Sequence, residues 1–414
     1  MTDQPTLVAS YCFPPYNDTS AVVAAKRVRQ TGDPVDVIAN AMDTLRRKDD
    51  SLTAICGDLV QRYAAVPTPS AFSSWRSISE FAEQGHRTAM RWQDEQGPYR
   101  KVYSRAQFAA SHFLAARFKV ANPDVAWTAE FSDPLSHDVL GGERVAPYED
   151  SRLSRLLLEA IEGAGFQPPE GHNSLSLCES VAFALASRII FTNPLQRDFM
   201  LEHCHDPALA ERARGIAEVN SHPTLPRRFY ELVESHYAVE QDKVNIGYFG
   251  NFYANRGVDL LVDALAAIAK QDRERIVLHI FTAAAPGEKL REAAERRGLT
   301  DQIRVQPYAD FLAFLNLCDR MDLLLVNDAL TPKESAVNPF LPSKWSDYKG
   351  STTPVWALVE EGSCLDGIDE IAIRTPVEHF TAYTQVLTRL ARRGVAGIVG
   401  DAASTTTATN EEIA

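Results

Sequence analysis

The sequence predicts an α/β protein made of two halves, each with a parallel sheet covered by helices. Residues 6–13 predict a buried strand, residues 21–30 a helix and residues 35–39 a second strand, which together make one βαβ unit. The same alternation starts again near Val244, after a charged and weakly periodic stretch at 207–243 that we interpret as the interdomain connection. These three observations predict two Rossmann-like domains facing a central cleft that holds a nucleotide.

The remaining elements of the first half follow in order, with one less regular region. Residues 43–104 carry many charges and aromatic rings and predict mostly helix and loop. A helix from Arg105 to Asn122 leads into a strand at 125–131, whose C-terminal loop lies where open α/β sheets bind ligands. The pattern then predicts helices at 151–164 and 174–187, a strand at 188–192, and a helix from Asn193 to about His203.

In the second half, apolar runs and amphipathic segments alternate regularly. Strands are predicted near 244–249, 276–282, 303–306, 322–326, 354–359 and 370–373. Helices are predicted near 257–270, 287–297, 309–318, 343–350 and 376–393.

The predicted division is an N-terminal Rossmann-like domain at 1–225 and a C-terminal Rossmann-like domain at 226–375. A C-terminal helix at 376–398 can pack back on the N-terminal domain, and residues 399–414, rich in Ser, Thr and Ala, predict a disordered tail.

Composition restricts the class of protein. A net charge of −13 over 414 residues argues against a nucleic-acid partner, because phosphate backbones need a basic field. The six cysteines form no CxxC pair, which is typical of reduced thiols and a cytoplasmic setting. The N-terminus lacks the basic and apolar regions of a signal peptide, and no apolar run is long enough to span a membrane. Peripheral contact with the inner face of a membrane stays open.

The segment from Asn338 to Ser351 is the most informative stretch of the chain. It places Lys344, Asp347 and the Gly350–Ser351 pair behind a proline-bounded turn and in front of an apolar run. A carboxylate can accept from two ribose hydroxyls, while a lysine and a helix N-terminus suit a diphosphate. The alternative is a capped surface helix that carries a lysine.

A second segment, residues 246–257, reads as strand, glycine turn and helix. Gly250 allows the backbone to approach a ligand closely, and Arg256 offers a bidentate fork to phosphate oxygens. The segment lacks the GxGxxG fingerprint, which disfavours a nicotinamide cofactor.

In the first half, the candidate site residues follow the first strand and the strand at 125–131. His137 and Asp133 lie in a loop predicted to face the cleft, where they could contact a bound substrate; the alternatives are a solvent-facing histidine and a turn-forming aspartate. Asp18 and Ser20 could also contact a substrate, or one of them could cap the helix that begins near Ala21. The cluster from His203 to Asp206 lacks a second cluster at metal-ligand spacing, so we expect no metal site.

These motifs resemble those of the retaining family-four glycosyltransferases of the GT-B architecture, and the resemblance covers both halves. The loop Tyr11–Pro15 is similar to the acceptor-side loop of that family, so the resemblance implies an acceptor-binding domain at 1–225 and a nucleotide-sugar-binding domain at 226–375. It also implies contacts of His137 and Asp133 with the donor sugar or the acceptor, and of Asp18 and Ser20 with the acceptor or the donor phosphate. Asn251 and Arg256 fall where the family carries an arginine and a lysine on the donor diphosphate, and Asp347 falls on the carboxylate that holds the donor ribose. The family has two glutamates separated by seven residues, and the first would fall on Pro339, where it is missing.

The resemblance implies a hexosyltransferase-type enzyme that moves a sugar, with retention, from a nucleotide diphosphate sugar to a hydroxyl of a polysaccharide, lipid-linked or small-molecule acceptor. Arg256, Lys344 and the absence of a DxD pair favour catalysis without a metal, and the nucleotide sugar is a co-substrate, so no cofactor is expected. Two alternatives stay open: a nucleotide-sugar epimerase on the same scaffold, and a catalytically silent partner subunit, which the missing glutamate and Asn251 would explain.

Overall fold

The computed structural model describes residues 4–138, 142–252, 257–332 and 337–398. The chain divides into two units. The first takes the described residues up to Pro223 and the return segment from Pro332 to Phe340, and the second takes the described residues from Thr224 to Thr331 and from Leu341 onward.

The first unit is built on a seven-stranded sheet in which every described pairing is parallel. In chain order its strands are β1 (Thr6–Ala9), β2 (Val35–Asn40), β3 (Val60–Val66), β4 (Lys101–Ala106), β5 (Ala126–Phe131), β6 (Arg188–Phe191) and β7 (Ala217–Val219). Its helices are α1 (Thr19–Thr31), α2 (Thr53–Cys56), α3 (Trp75–Gln96), α4 (Ala110–Ala121), α5 (Arg152–Gly163), α6 (Ser174–Leu185), α7 (Pro194–Glu202) and α8 (Pro207–Gly215). The spatial order is β3-β2-β1-β4-β5-β6-β7.

The second unit repeats the plan with a six-stranded parallel sheet. Its strands are β8 (Val244–Phe249), β9 (Ile276–Phe281), β10 (Ile303–Gln306), β11 (Leu323–Asn327), β12 (Val355–Val359) and β13 (Ile373–Pro376). Its helices are α9 (Asp259–Ala267), α10 (Lys270–Arg273), α11 (Ala284–Arg296), α12 (Phe311–Arg320), α13 (Lys344–Tyr348) and α14 (Phe380–Arg393). The spatial order is β10-β9-β8-β11-β12-β13.

Both sheets reverse their strand order beside their first strand. The chain adds strands on one side of β1 and then continues with β4 on the other side, and it does the same around β8 with β11. Carbonyl and amide groups at the carboxyl ends of two such strands diverge and leave a crevice, which is where open α/β sheets bind ligands. The predicted pair of Rossmann-like domains is confirmed at the level of each unit.

A buried ion cluster ties α1 to the first sheet. Glu130 of β5 accepts from Arg27 Nε at 2.8 Å and Nη2 at 3.2 Å, and from the hydroxyl of Tyr103 at 3.0 Å. Arg105 Nε lies 3.7 Å from Glu130 Oε1, and the side chains of Arg105 and Glu130 are completely buried. One carboxylate therefore serves two guanidinium groups in a site that water does not reach.

The region predicted as helix and loop at 43–104 differs most from the structure. It contains the edge strand β3 and the inner strand β4 on either side of α3, and the helix predicted from Arg105 begins only at Ala110. β4 carries Ser104 and Arg105, both completely buried, because polar partners are packed beside them: His112 of α4 for Ser104 and Glu130 of β5 for Arg105. The stretch 207–243, predicted as a connection, likewise contains α8 and β7.

The C-terminal helix α14 packs within the second unit, on α9 and α10. Its apolar face buries Tyr383, Leu387 and Leu390. On its polar face, Arg392 donates to both carboxylate oxygens of Asp272 at the end of α10, at 2.8–3.2 Å. The tail at 399–414 lies outside the described residues.

Candidate active site

The carboxyl end of β8 presents backbone at the point where the second sheet reverses. Gly250 N donates to Phe281 O at 3.0 Å, and the hydroxyl of Tyr248 donates to Asn251 O at 3.1 Å. These bonds fix the turn that the sequence assigned to the donor diphosphate. Arg256, predicted for the same role, lies outside the described residues.

The short helix α13 brings Lys344 and Asp347 together, because residues three apart share one face of a helix. Lys344 Nζ lies 3.3 Å from Asp347 Oδ2 and 4.3 Å from the centre of the Phe314 ring. The Asp347 side chain is 5% exposed and that of Lys344 is 32% exposed. A half-exposed ammonium next to a buried carboxylate can bind phosphate oxygens on its outer side while the carboxylate accepts hydroxyl hydrogens.

Aromatic packing holds α13 against the end of β8. Phe249 N donates to the hydroxyl of Tyr348 at 3.2 Å. Phe314 packs against Phe249, with ring centres 4.8 Å apart, and it also contacts the Lys344 ammonium. Through these contacts the structure brings together the predicted residues of the β8 turn and of α13.

The far end of α13 is fixed by a tyrosine that the sequence did not single out. Tyr230, in the 3₁₀ turn Arg227–Tyr230, donates its hydroxyl to the carbonyl of Asp347. A Cβ at Gly350 would lie 2.7 Å from Tyr230 Cζ and 2.8 Å from Thr224 Cγ2, closer than real contacts allow. Only glycine lets the chain pass Tyr230 here, and the position of Asp347 depends on that approach.

Ser351 does not belong to this group, although the sequence assigned it to the diphosphate. Its hydroxyl donates to Asp319 Oδ1 at 2.9 Å, and Thr352 N donates to the same oxygen at 2.9 Å. Because β12 begins at Val355, Ser351 lies at the amino ends of the strands, whereas Gly250 lies at a carboxyl end. Its hydroxyl ties the turn between α13 and β12 to the last turn of α12.

For Asp18 and Ser20, the structure shows the alternative that the sequence had left open, in which one of the two caps the helix. Asp18 caps α1 by accepting from Ser20 N at 2.7 Å, and its other oxygen pairs with Arg46. The hydroxyl of Ser20 accepts from Arg105 Nη1 at 3.1 Å. The Asp18 side chain is 7% exposed and Ser20 is 1% exposed, so both are taken up by structural bonds and neither is open to an acceptor.

His137 and Asp133 follow β5, at the carboxyl edge of the first sheet, and both are half-buried. His137 Nδ1 lies 2.9 Å from the hydroxyl of Ser136, and its ring centre lies 4.3 Å from that of His203. Burial, followed by the electrostatic effect of the neighbouring His203, lowers the pKa of His137, which favours a neutral imidazole. Glu179 of α6 holds this loop and was not predicted, since nothing in its helical pattern marks it as polar support.

No protein-family model and no curated protein sequence matches the chain. Solved structures do resemble it. They include HepE from Anabaena in complex with UDP, with a TM-score of 0.56 and 14% identity, covering 97% of this chain and 94% of that one. A glycosyltransferase from Rickettsia africae gives 0.57 and 11% identity, with 99% and 94% covered.

A putative UDP-N-acetylglucosamine 2-epimerase from Listeria monocytogenes gives a TM-score of 0.55 and 13% identity, with 96% and 90% covered. The fold is that of the GT-B enzymes. At these identities the likeness concerns the fold, and this fold carries both transferases and epimerases. Among the described residues, no helix is long and apolar enough to cross a membrane.

Proposed function

We propose that the protein is a retaining glycosyltransferase that moves a sugar from a nucleotide diphosphate sugar to a hydroxyl of a carbohydrate, lipid-linked or small-molecule acceptor. The observation that carries the proposal is the Lys344–Asp347 pair, held by Tyr348 against the end of β8. Lys344 would neutralise the leaving diphosphate beside the Gly250–Asn251 turn, and Asp347 would accept from the ribose. Arg256, which the resemblance places on the diphosphate, would supply the second cation.

Such a site needs no reorganisation when charge develops on the leaving diphosphate, because its cation is already fixed by a carboxylate and a ring. The proposed reaction is therefore independent of a metal. On the acceptor side, we assign His137 and Asp133 to contacts with the acceptor or the donor sugar, since both follow β5 at the carboxyl edge of its sheet. We place the protein in the cytoplasm, because its six cysteines form no CxxC pair and are typical of thiols kept reduced in that compartment.

Calorimetric titration with UDP, GDP and ADP tests the nucleotide assignment. We expect one of the three to bind, with an affinity that does not change when EDTA is added. If none binds to the folded protein, the donor site is not a nucleotide site and the proposal fails.

A nucleotide-sugar epimerase is the second candidate, favoured by the likeness to the Listeria protein. Product analysis by mass spectrometry and NMR separates the two. A transferase consumes the nucleotide sugar only when a hydroxyl acceptor is present, apart from slow hydrolysis, whereas an epimerase isomerises the donor alone. Binding without any turnover would indicate the silent partner subunit.

A further inference from the structure

The first unit contains a cavity of about 500 Å³ beside His137. We call it the His137 cavity. It lies between the loop after β5, helix α6, the segment before α6 and the turn that follows α7, and every residue that lines it belongs to the first unit. Its size falls within the range of about 300–1,000 Å³ that holds small-molecule ligands.

A buried carboxylate forms the floor of the cavity. Glu179 accepts from Leu135 N at 2.8 Å and Ser136 N at 3.0 Å with one oxygen, and from the Ser136 hydroxyl at 2.7 Å with the other. Because the Ser136 hydroxyl donates its hydrogen to Glu179, its oxygen is left to accept from His137 Nδ1 at 2.9 Å. This chain of bonds keeps the proton of His137 on Nδ1 and leaves Nε2 as an acceptor.

The charge of the lining excludes one class of ligand. Glu143, Glu170 and Glu179 line the cavity, and among the described lining residues there is no lysine or arginine. A phosphate or a carboxylate would meet the like charge of these glutamates with no lysine or arginine in the described lining to compensate it. Hydroxyl groups, in contrast, can donate to the exposed Glu143 and Glu170 and to an acceptor nitrogen of His137.

Apolar surface accompanies these acceptors. Phe183, Pro168 and Pro169 line the same cavity, and the imidazole of His203 lies beside that of His137. Apolar and ring surfaces next to convergent hydrogen-bond acceptors suit a molecule with hydroxyls on its edge and C–H groups on its faces. A pyranose ring has that composition.

We propose that the His137 cavity binds an uncharged saccharide unit of the acceptor, with His137 Nε2 accepting from one of its hydroxyls. This inference rests on the proposed function, and it restricts the acceptor class to one that carries a neutral sugar. It also gives His137 a substrate-contacting role that Ser136 and Glu179 support by fixing its tautomer.

Saturation-transfer NMR of the full chain tests the inference without a nucleotide. The probes are the methyl glycosides of glucose, galactose and N-acetylglucosamine, compared with glucose 6-phosphate and glucuronic acid. We expect at least one neutral glycoside to bind and both anionic probes to bind more weakly. Preferred binding of the anions, or no binding of any neutral glycoside, overturns the proposal.

Two variants and a matched control locate the binding. His137→Phe keeps a ring against Phe199 and His203 but lacks the acceptor nitrogen, so affinity should fall about five- to tenfold. Glu170→Trp narrows the exposed mouth and should also weaken binding, whereas Glu162→Trp, exposed on α5 outside the cavity, should leave affinity unchanged. Unaltered glycoside binding in both His137→Phe and Glu170→Trp would place the sugar elsewhere.

Nucleotide binding by the same variants separates this inference from the proposed function. His137→Phe should retain the nucleotide affinity of the unaltered chain. If a nucleotide binds and no glycoside does, the cavity proposal fails while the donor site stands. If a glycoside binds and no nucleotide does, the failure lies with the proposed function.

Discussion

Replacing Lys344 by alanine removes the one described cation of the proposed donor site. Its ammonium is held 3.3 Å from Asp347 Oδ2 and over the ring of Phe314. Its remaining N–H groups are those available to a diphosphate, since the side chain is about a third exposed. The variant therefore loses a charge-assisted hydrogen bond to the ligand.

The size of the effect follows from that geometry. A hydrogen bond to a charged group contributes about 1.5–3 kcal/mol, so the dissociation constant of the nucleoside diphosphate should rise about 10- to 150-fold. The fold should lose much less. A partly exposed ion pair contributes about 0.2–1 kcal/mol to stability, so the variant stays folded under the conditions of a binding assay.

Isothermal titration with the nucleotide that binds best is the assay, and thermal melting reports on folding. Lys349→Ala is the matched control, because Lys349 follows the same helix but pairs with Glu370 in solvent, at 2.7 Å. Its loss should leave affinity unchanged. If Lys344→Ala binds within twofold of the unaltered chain, the ammonium does not face the diphosphate and the reasoning about α13 is refuted.

Three further outcomes follow from buried groups. Gly350→Ala should destabilise the fold by about 1–3 kcal/mol, seen as a lower melting temperature, because the new methyl overlaps Tyr230; an unchanged temperature contradicts the packing. Glu130→Gln leaves the guanidinium groups of Arg27 and Arg105 without their carboxylate and should lower the free energy of unfolding, measured with urea, by about 3–5 kcal/mol. An unchanged free energy of unfolding would mean that water reaches the two guanidinium groups. Burial lowers the pKa of His112 to about 3, so this residue stays neutral in the folded protein but is protonated below about pH 6.5 in the unfolded chain. Lowering the pH from 7 to 5 should therefore reduce the free energy of unfolding by about 2 kcal/mol through this residue. His112→Phe should remove that part of the pH dependence.

The alternation of apolar and amphipathic segments was enough to predict the repeated α/β plan, but not every strand. β3 lies at the sheet edge with alternating exposure, and β4 contains a buried serine and a buried arginine, so neither reads as an apolar run. Arg105 is tolerated inside because Glu130 comes from the neighbouring strand. The periodicity of apolar residues predicts which of them are buried. It does not predict the burial of a polar residue whose partner lies on another strand or helix.

In the site, too, contacts between residues near each other in sequence were predictable and contacts between distant residues were not. The spacing of Lys344 and Asp347 is local, so a helix at that position was sufficient to predict that they meet. The contact of Tyr230 with the carbonyl of Asp347 joins residues far apart in sequence, and no pattern within either segment indicates it. Ser351 shows a different error, since a serine in front of an apolar strand lies at the amino edge of the sheet and not beside the turns that bind phosphate.

The segment where the resemblance expects a first glutamate has a different use in this chain. Asn338 Oδ1 accepts from Phe340 N at 3.0 Å, which fixes a turn in which the carbonyl of Pro339 accepts from Asn193 Nδ2 at 3.0 Å. Both partners belong to the first unit, so the backbone of residues 338–340 is hydrogen-bonded to that unit through Asn193. Position 339 carries no carboxylate. In the proposed donor site, Lys344 and Asp347 would serve the nucleotide end of the donor, and position 339 offers no carboxylate to its sugar. A donor screen designed from this structure should accordingly fix the nucleotide first, by direct binding, and then vary the sugar broadly on that one nucleotide.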